Sequence, residues 1–181
     1  MVSRAFDPLR LDVERFAVEE AALEGSWPLS ELDRLSASSA FDDRSSDSDR
    51  VSWAAKGEQR TSRGSEGECW LHLEAVAKVV LQCQRCLGPV PTRLDIRQAL
   101  RFVHGEDAAA QLDSESDDDV LAMTRALDLR ELVEDELLLS LPLVPMHDTC
   151  PEPLIALNED VADRPNPFAA LAALKDVQRD D

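Results

Sequence analysis

The chain has 181 residues, of which 44% are hydrophobic, and this is enough for one ordinary domain with a packed core. Its formal net charge of -18 disfavours a general affinity for nucleic acid or anionic membranes and suits a basic protein partner. Charged residues begin at Arg4 and no uninterrupted apolar run follows, so we expect neither a signal peptide nor a spanning helix. The expected compartment is therefore the cytoplasm, where thiols stay reduced.

The N-terminal half shows few regular patterns, and we predict a single domain over 1–181. Residues 36–50 are polar and rich in Ser and Asp, which predicts a mobile loop. Residues 51–56 are predicted to form a strand. Residues 57–67 carry glycines among charges and are predicted to form a turn or loop.

Two alternating segments, 69–81 and 90–103, form the clearest pattern. In the first, the odd positions are largely apolar, from Leu71 to Leu81; in the second, the even positions are largely apolar and the odd ones charged. This alternation is typical of half-buried strands, and the short link CQRCLGP predicts an antiparallel hairpin. The two apolar faces align only if paired residue numbers have an odd sum, because a slip of one residue would expose one face.

The next segments are an acidic run and a helix. Residues 105–120 carry seven acidic residues and no Lys or Arg, which predicts a solvated, mobile loop. Asp128 and Glu131 have the spacing of a capping box, and an apolar stripe follows them. This pattern predicts a helix over 128–141 that Pro142 ends.

These elements together predict an α+β fold. We expect an antiparallel sheet centred on the 69–103 hairpin, with the 128–141 helix packed on its apolar face. Residues 142–166 are rich in proline and are expected to be irregular. A short C-terminal helix is predicted to begin at Asn166.

Two cysteine-containing pairs are candidate metal ligands. The C-x-x-C pair at the hairpin tip would let two thiolates reach one ion, and the H-x-x-C pair after the helix has a similar reach. A zinc site needs about four ligands, and these pairs would supply Cys83, Cys86, His147 and Cys150. Two alternatives remain: small residues at a hairpin tip, or a thioredoxin-like redox pair. The redox pair would need a helix after the cysteines, whereas here a glycine, a proline and a strand follow.

The hairpin is also a basic island in an acidic chain. Between Lys78 and Arg101 there are five basic residues, and only Asp95 opposes them. The candidate RNA-binding residues are Arg85, Arg93, Arg97 and Arg101. The alternative is a solvated outer face on which these arginines pair across strands with residues such as Glu74, or a face that the acidic loop covers.

No familiar enzyme signature is present in the sequence. Its glycines form neither a phosphate-binding loop nor a dinucleotide fingerprint, and there is no G-x-S-x-G elbow. The acidic residues of the predicted helix fit its solvated side better than a catalytic carboxylate pair. We therefore expect a non-enzymatic protein without a small-molecule substrate, and an RNA-processing nuclease is the weakest of the functions considered.

Three blocks in a fixed order carry a family resemblance. They are VVLQCQRCLGPV at 79–90, LVEDELLLSLPLVPMHDTC at 132–150 and NPFAALAALK at 166–175. In this combination the chain resembles the YceD family of large ribosomal RNA accumulation proteins. Some similar proteins carry a richer cysteine cluster after the helix, where this chain has only His147 and Cys150.

The resemblance implies a cytosolic ribosome biogenesis factor that supports synthesis, processing or accumulation of large-subunit ribosomal RNA. Its implied partners are a large-subunit ribosomal protein, precursor ribosomal RNA, or both, and it implies no catalytic activity. The alternative is a zinc-dependent interaction module built on the two cysteine-containing pairs.

Overall fold

The computed structural model describes residues 6–39, 50–61 and 67–151. The chain divides into two compact units, Met1–Asp148 and Thr149–Asp181, and the described residues belong almost entirely to the first. A single domain over the whole chain therefore stays a prediction.

The described residues form four α-helices and five β-strands. The helices are α1 (Val13–Val18), α2 (Asp33–Ser38), α3 (Glu106–Glu115) and α4 (Leu129–Leu139). The strands are β1 (Ala22–Pro28), β2 (Arg50–Arg60), β3 (Glu68–Gln82), β4 (Pro89–Val103) and β5 (Asp119–Ala122). None of these helices is long and apolar enough to cross a membrane.

All five strands belong to one sheet whose spatial order is the order in the chain. The first four strands pair antiparallel in sequence, and β5 lies parallel to β4 at the edge. A parallel pair needs a crossover connection, and α3 lies in that connection between β4 and β5. The predicted α+β fold centred on a long hairpin is confirmed.

The register of the β3–β4 hairpin follows the parity expected from its apolar faces. Every pair has an odd sum, from Cys69 opposite Phe102 to Leu81 opposite Val90. Odd residues of β3 are buried as a result, and even ones such as Glu74 are exposed or half-buried, with the exception of Trp70, which is buried. The face that carries the even residues of β3 is called the outer face below.

Three helices cover the opposite, inner face of the sheet. Buried side chains of α1, α2 and α4 pack in one core with the odd residues of β3. Helix α4 begins as its sequence predicts, because the Asp128 carboxylate accepts hydrogen bonds from the N–H groups of Arg130 and Glu131. Its buried stripe includes Leu129, Val133 and Leu137.

Glycine permits the closest approach of α1 to the sheet. A Cβ at Gly57 would overlap the carbonyl group of Phe16 and crowd the backbone of Ala17. The Gly57 N–H donates to the carbonyl of Ala21 at 2.9 Å, so the end of β2 is tied to the chain that leaves α1. Residues 57–60 therefore continue β2, and the turn or loop predicted from residue 57 was wrong at its start.

The acidic segment 105–120 is not the continuous loop that its composition predicts. It forms α3 and the first residues of β5. Three consecutive alanines favour a helix, and Glu106 and Asp107 lie at its N-terminal end, where carboxylates are favourable. The Asp113 carboxylate accepts a hydrogen bond from the Val120 N–H at 3.2 Å, which ties α3 to β5.

The remaining predicted loops are only partly described. The segment 36–50 begins inside α2 and ends on the first residue of β2, and residues 40–49 lie outside the described residues. Residues 142–151 contain no helix or strand, as expected for that segment. Its continuation and the helix predicted from Asn166 also lie outside the described residues.

Candidate functional site

A tight turn at the tip of the β3–β4 hairpin carries the C-x-x-C pair. This turn, residues 83–89, is called the knuckle. The Cys83 N–H donates to the carbonyl of Gly88, and the Leu87 N–H donates to the carbonyl of Cys83, both at 2.9 Å. These bonds close the turn, and Cys83 is buried while Cys86 is partly exposed. A turn and a strand, rather than a helix, follow the cysteines, so the geometry of a thioredoxin-like pair is absent here.

The chain that leaves α4 runs against the knuckle. Residues 140–148 are called the crossing segment. The Gln84 N–H donates to the carbonyl of Pro145 at 2.9 Å, and His147 Nε2 lies 2.9 Å from the carbonyl oxygen of Pro89. Two hydrogen bonds therefore hold the crossing segment beside the knuckle, and the ring of His147 is turned toward the cysteines.

The four predicted metal ligands come together at this point. One ligand atom from each lies within 4.8 Å of the others, in the set Cys83, Cys86, His147 and Cys150. The distance from Cys86 Sγ to His147 Nδ1 is 3.4 Å. Tetrahedral zinc with bonds of about 2.0–2.3 Å sets its ligand atoms roughly 3.3–3.8 Å apart. These side chains are called the Cys/His cluster below. They are close enough to hold one metal ion once the more distant ligand atoms move slightly closer together.

The backbone around Cys83 favours the thiolate, which is the form that binds metal. The pKa of the Cys83 thiol falls to about 5, chiefly because the Cys86 N–H donates to its sulfur. The N–H groups of His147 and Arg85 add to this effect, while burial opposes it. Backbone donors around a cysteine sulfur thus preorganise it as an anionic ligand before any ion arrives.

The hydrogen bond to Pro89 selects the tautomer of His147. A carbonyl oxygen only accepts, so Nε2 must carry the hydrogen, and in the neutral ring Nδ1 keeps its lone pair. Nδ1 is the nitrogen that faces Cys86. A ligand nitrogen toward the metal and an N–H toward a carbonyl is the usual arrangement of a metal-bound histidine.

One residue of the knuckle has a strained backbone. Leu87 has φ of 60°, in the left-handed region that normally favours glycine, and its side chain is exposed. Residues held in this region cluster at functional sites. The sequence gives no sign of this conformation, because Gly88, the obvious candidate, is not among the residues of positive φ.

The candidate RNA-binding arginines of β4 lie on the outer face, and each of them has an acidic partner. Arg93 pairs with Asp95 at 3.2 Å and Arg97 lies 4.0 Å from Glu74 across the strands. Arg101 pairs with Glu68 at 3.0 Å, and its side chain is only 22% exposed against 77% for Arg97. The fourth candidate, in the knuckle, contacts the sulfur of Met146 instead. The cross-strand pairing considered from the sequence is therefore present, and the arginines differ widely in accessibility.

A remote carboxylate that sequence reasoning missed joins α4 to α2. Glu134 Oε1 accepts hydrogen bonds from the N–H groups of Arg34 and Leu35 at 2.7 and 3.0 Å, and Oε2 pairs with the Arg34 guanidinium. The carboxylate thus caps a helix about 100 residues away in the chain. Glu134 occurs in a run of acidic residues whose spacing suits a solvated face, so nothing in the sequence distinguishes it.

Fold and site together define a class of protein: an α+β protein with one sheet and a Cys/His cluster at the tip of its longest hairpin. The model of the large ribosomal RNA subunit accumulation protein YceD family matches residues 71–175, and the chain belongs to this family.

A relative from another organism carries the name of the same family. The chain is 38% identical over 104 residues to the large ribosomal RNA subunit accumulation protein YceD of Haemophilus influenzae. The match covers 54% of this chain and 60% of that protein, so it spans less than two thirds of the relative. No solved structure matches the chain.

Proposed function

We propose that this protein supports the accumulation of large-subunit ribosomal RNA by binding components of the assembling subunit in the cytoplasm. The observation that carries the proposal is the family match over residues 71–175, which includes all of the hairpin except its first three residues, and all of α4. The name of the Haemophilus influenzae relative points the same way. In this proposal the protein supports the synthesis, processing or accumulation of that RNA and is not itself an enzyme.

The arrangement of polar side chains supports binding rather than RNA cleavage. A two-metal nuclease gathers carboxylates around divalent ions. Among the described residues, one group has three or more metal-ligating side chains within reach of a single ion, and this group is the Cys/His cluster. Its soft ligands disfavour magnesium. The outer-face histidine, His72, is paired with Glu58, which Arg60 also neutralises.

The charge distribution supports two kinds of partner. The net charge of -18 suits a basic ribosomal protein, while the exposed arginines of the hairpin suit precursor ribosomal RNA. Of the four candidates, Arg85, Arg93 and Arg97 are the most open to phosphate. Arg101 is largely covered and is held by Glu68, so it contributes least to this contact.

The experiment that tests this proposal is a pull-down of the full chain from native lysate, with and without ribonuclease, in which bound proteins and bound RNA are both identified. Large-subunit components are the expected catch. Arg93→Glu/Arg97→Glu should reduce bound precursor RNA, whereas Arg125→Glu, an exposed arginine off the hairpin, should not. Recovery of neither large-subunit proteins nor their RNA would refute the proposal.

The second proposal is that the Cys/His cluster holds a structural zinc ion. It is favoured by the proximity of four soft ligands, the stabilised Cys83 thiolate and the tautomer of His147. Three thiolates and one imidazole form a set typical of closed structural zinc sites, and a bound ion would fasten the crossing segment to the knuckle.

Metal analysis of protein purified without chelator tests the zinc proposal. We expect about one zinc per chain for the wild type, and a large loss in Cys83→Ser and Cys86→Ser. Cys69→Ala is the matched control, since Cys69 is buried in the core away from the cluster and should keep full occupancy. Zinc near zero in wild-type protein, with Cys83→Ser unaltered in stability, would exclude the site.

A further inference from the structure

Two cations stand directly opposite each other on the outer face of the β3–β4 hairpin. Lys78 and Arg93 are partners in the register of the two strands, and both side chains are exposed. Opposed residues of an antiparallel pair have Cβ atoms about 4.5–5.5 Å apart, so these two long side chains leave the sheet side by side. Like charges in this position destabilise a sheet, so the needs of the fold do not explain the pair.

The carboxylates nearby leave this pair of cations able to bind an anion. Asp95 contacts Arg93 at 3.2 Å, but the two side chains are 48% and 61% exposed, and pairs this exposed contribute little. Glu74 lies 4.0 Å from Arg97, farther along the hairpin. No ion pair joins Lys78 to another residue in the segments that the structure describes. The lysine therefore keeps its charge for a ligand, and the guanidinium of Arg93 keeps several of its five donors.

The aromatic residue of the outer face is closed to nucleobases. Among the strands that the structure describes, Trp70 is the one aromatic residue on this face, and it is only 5% exposed. The Arg60 guanidinium lies over its ring, 4.1 Å from the centroid, and Glu68 accepts a hydrogen bond from its Nε1 at 3.2 Å. Proteins that bind single-stranded RNA stack its bases on aromatic side chains. This face is therefore suited to the phosphate backbone of RNA rather than to its bases.

We propose that Lys78 and Arg93 together hold one phosphate of base-paired RNA, and that the exposed Arg97 contacts another phosphate farther along the hairpin. The inference rests on the proposed function, and it adds a lysine of β3 and the form of the RNA. A phosphate between the two cations replaces their repulsion by two attractive contacts. A duplex fits best, because it carries phosphate charge at a higher density than a single strand and needs no stacking surface on the protein.

Binding of the full chain to an RNA duplex of about 16 base pairs, and to one of its strands alone, tests this inference at several salt concentrations. We expect the duplex to bind more tightly than the strand. Lys78→Ala/Arg93→Ala should weaken duplex binding about five-fold or more at about 0.1 M salt, and should reduce the slope of log K against log salt by about one, as for one lost phosphate contact.

The matched control is Arg10→Ala/Arg125→Ala, which removes the same charge from two exposed positions outside the sheet. It should change Kd by less than about two-fold and leave the salt slope as in wild type, because these positions lie away from the bound RNA. Thermal unfolding of both double variants checks that the fold is retained.

The outcomes separate this inference from the proposed function. If the duplex binds Lys78→Ala/Arg93→Ala as tightly as wild type, or if the single strand binds wild type as tightly as the duplex, only this inference fails. If neither RNA binds while large-subunit proteins are still recovered from lysate after ribonuclease, this inference fails and the proposed function stands on its protein partner. If the lysate yields neither large-subunit proteins nor their RNA, the proposed function fails as well.

Discussion

Leu87 adopts a backbone conformation that costs an L-residue free energy, and the fold tolerates this cost at the knuckle. Replacement by glycine should relieve the strain, so Leu87→Gly should raise the free energy of unfolding by about 1 kcal/mol. Chemical denaturation at constant metal concentration measures this change. Gln84→Gly, at an exposed knuckle position of ordinary φ, should instead lower stability. Equal losses in both variants would show that Leu87 carries no strain.

Glu134 makes stability depend on acid pH. Hydrogen bonds from the Leu35 and Arg34 N–H groups and the Arg34 guanidinium outweigh its burial, so its pKa in the folded protein lies below the ordinary 4.5. The unfolded chain therefore binds the proton more readily, and this stabilisation is present above pH 4.5 and lost as pH falls through the folded pKa. Glu134→Gln should cost about 1–3 kcal/mol at pH 7.

Unfolding free energies of wild type and Glu134→Gln between pH 7 and pH 3 measure this dependence. The difference between the two proteins should shrink as the pH falls below 4.5. A difference that stays constant over this range would mean that the ionised carboxylate is not the source of the stabilisation.

Among the helices and strands, those in which one periodicity governs the whole element were predictable from the sequence. The hairpin has two long alternating strands, and a register with the wrong parity would expose an entire apolar face, so the parity of its register was predictable. Helix α3 was not, because its composition suggested solvation and it buries little beyond Ala109. Local helix propensity and its tie to β5 decide its conformation, and the tie joins residues that no local pattern relates.

Gly57 is the position where an element depends on a missing side chain. Gly57→Ala would push a Cβ into the backbone of α1, which cannot yield without moving the helix, so stability should fall by about 2 kcal/mol or more. Gly67→Ala is the control, because its added Cβ meets only the flexible end of Gln59. Thermal unfolding of the two variants measures the contrast, and a fall in Tm for Gly67→Ala as large as that for Gly57→Ala would contradict it.

At the scale of the whole molecule, the four residues of the candidate site could be named from the sequence, but their arrangement in space could not. The two cysteine-containing pairs stand out by spacing, but 60 residues separate them in the chain. What brings them together is the length of β3 and β4 and the path of the crossing segment back to the knuckle. The carbonyl of Pro89 and the N–H donors around Cys83 complete the site, and such backbone partners leave no signature in side-chain identity.

The Cys/His cluster and the accumulation of large-subunit ribosomal RNA can be tested together by genetic complementation. In cells that lack the gene, the ratio of mature large-subunit to small-subunit ribosomal RNA is measured after complementation with wild type, Cys83→Ser/Cys86→Ser or Cys69→Ala. We expect the ratio to fall in the deletion strain and to recover with wild type and Cys69→Ala, but not with the double variant. A ratio unchanged by the deletion would contradict the proposed function, and full recovery with the double variant would contradict the role of the cluster.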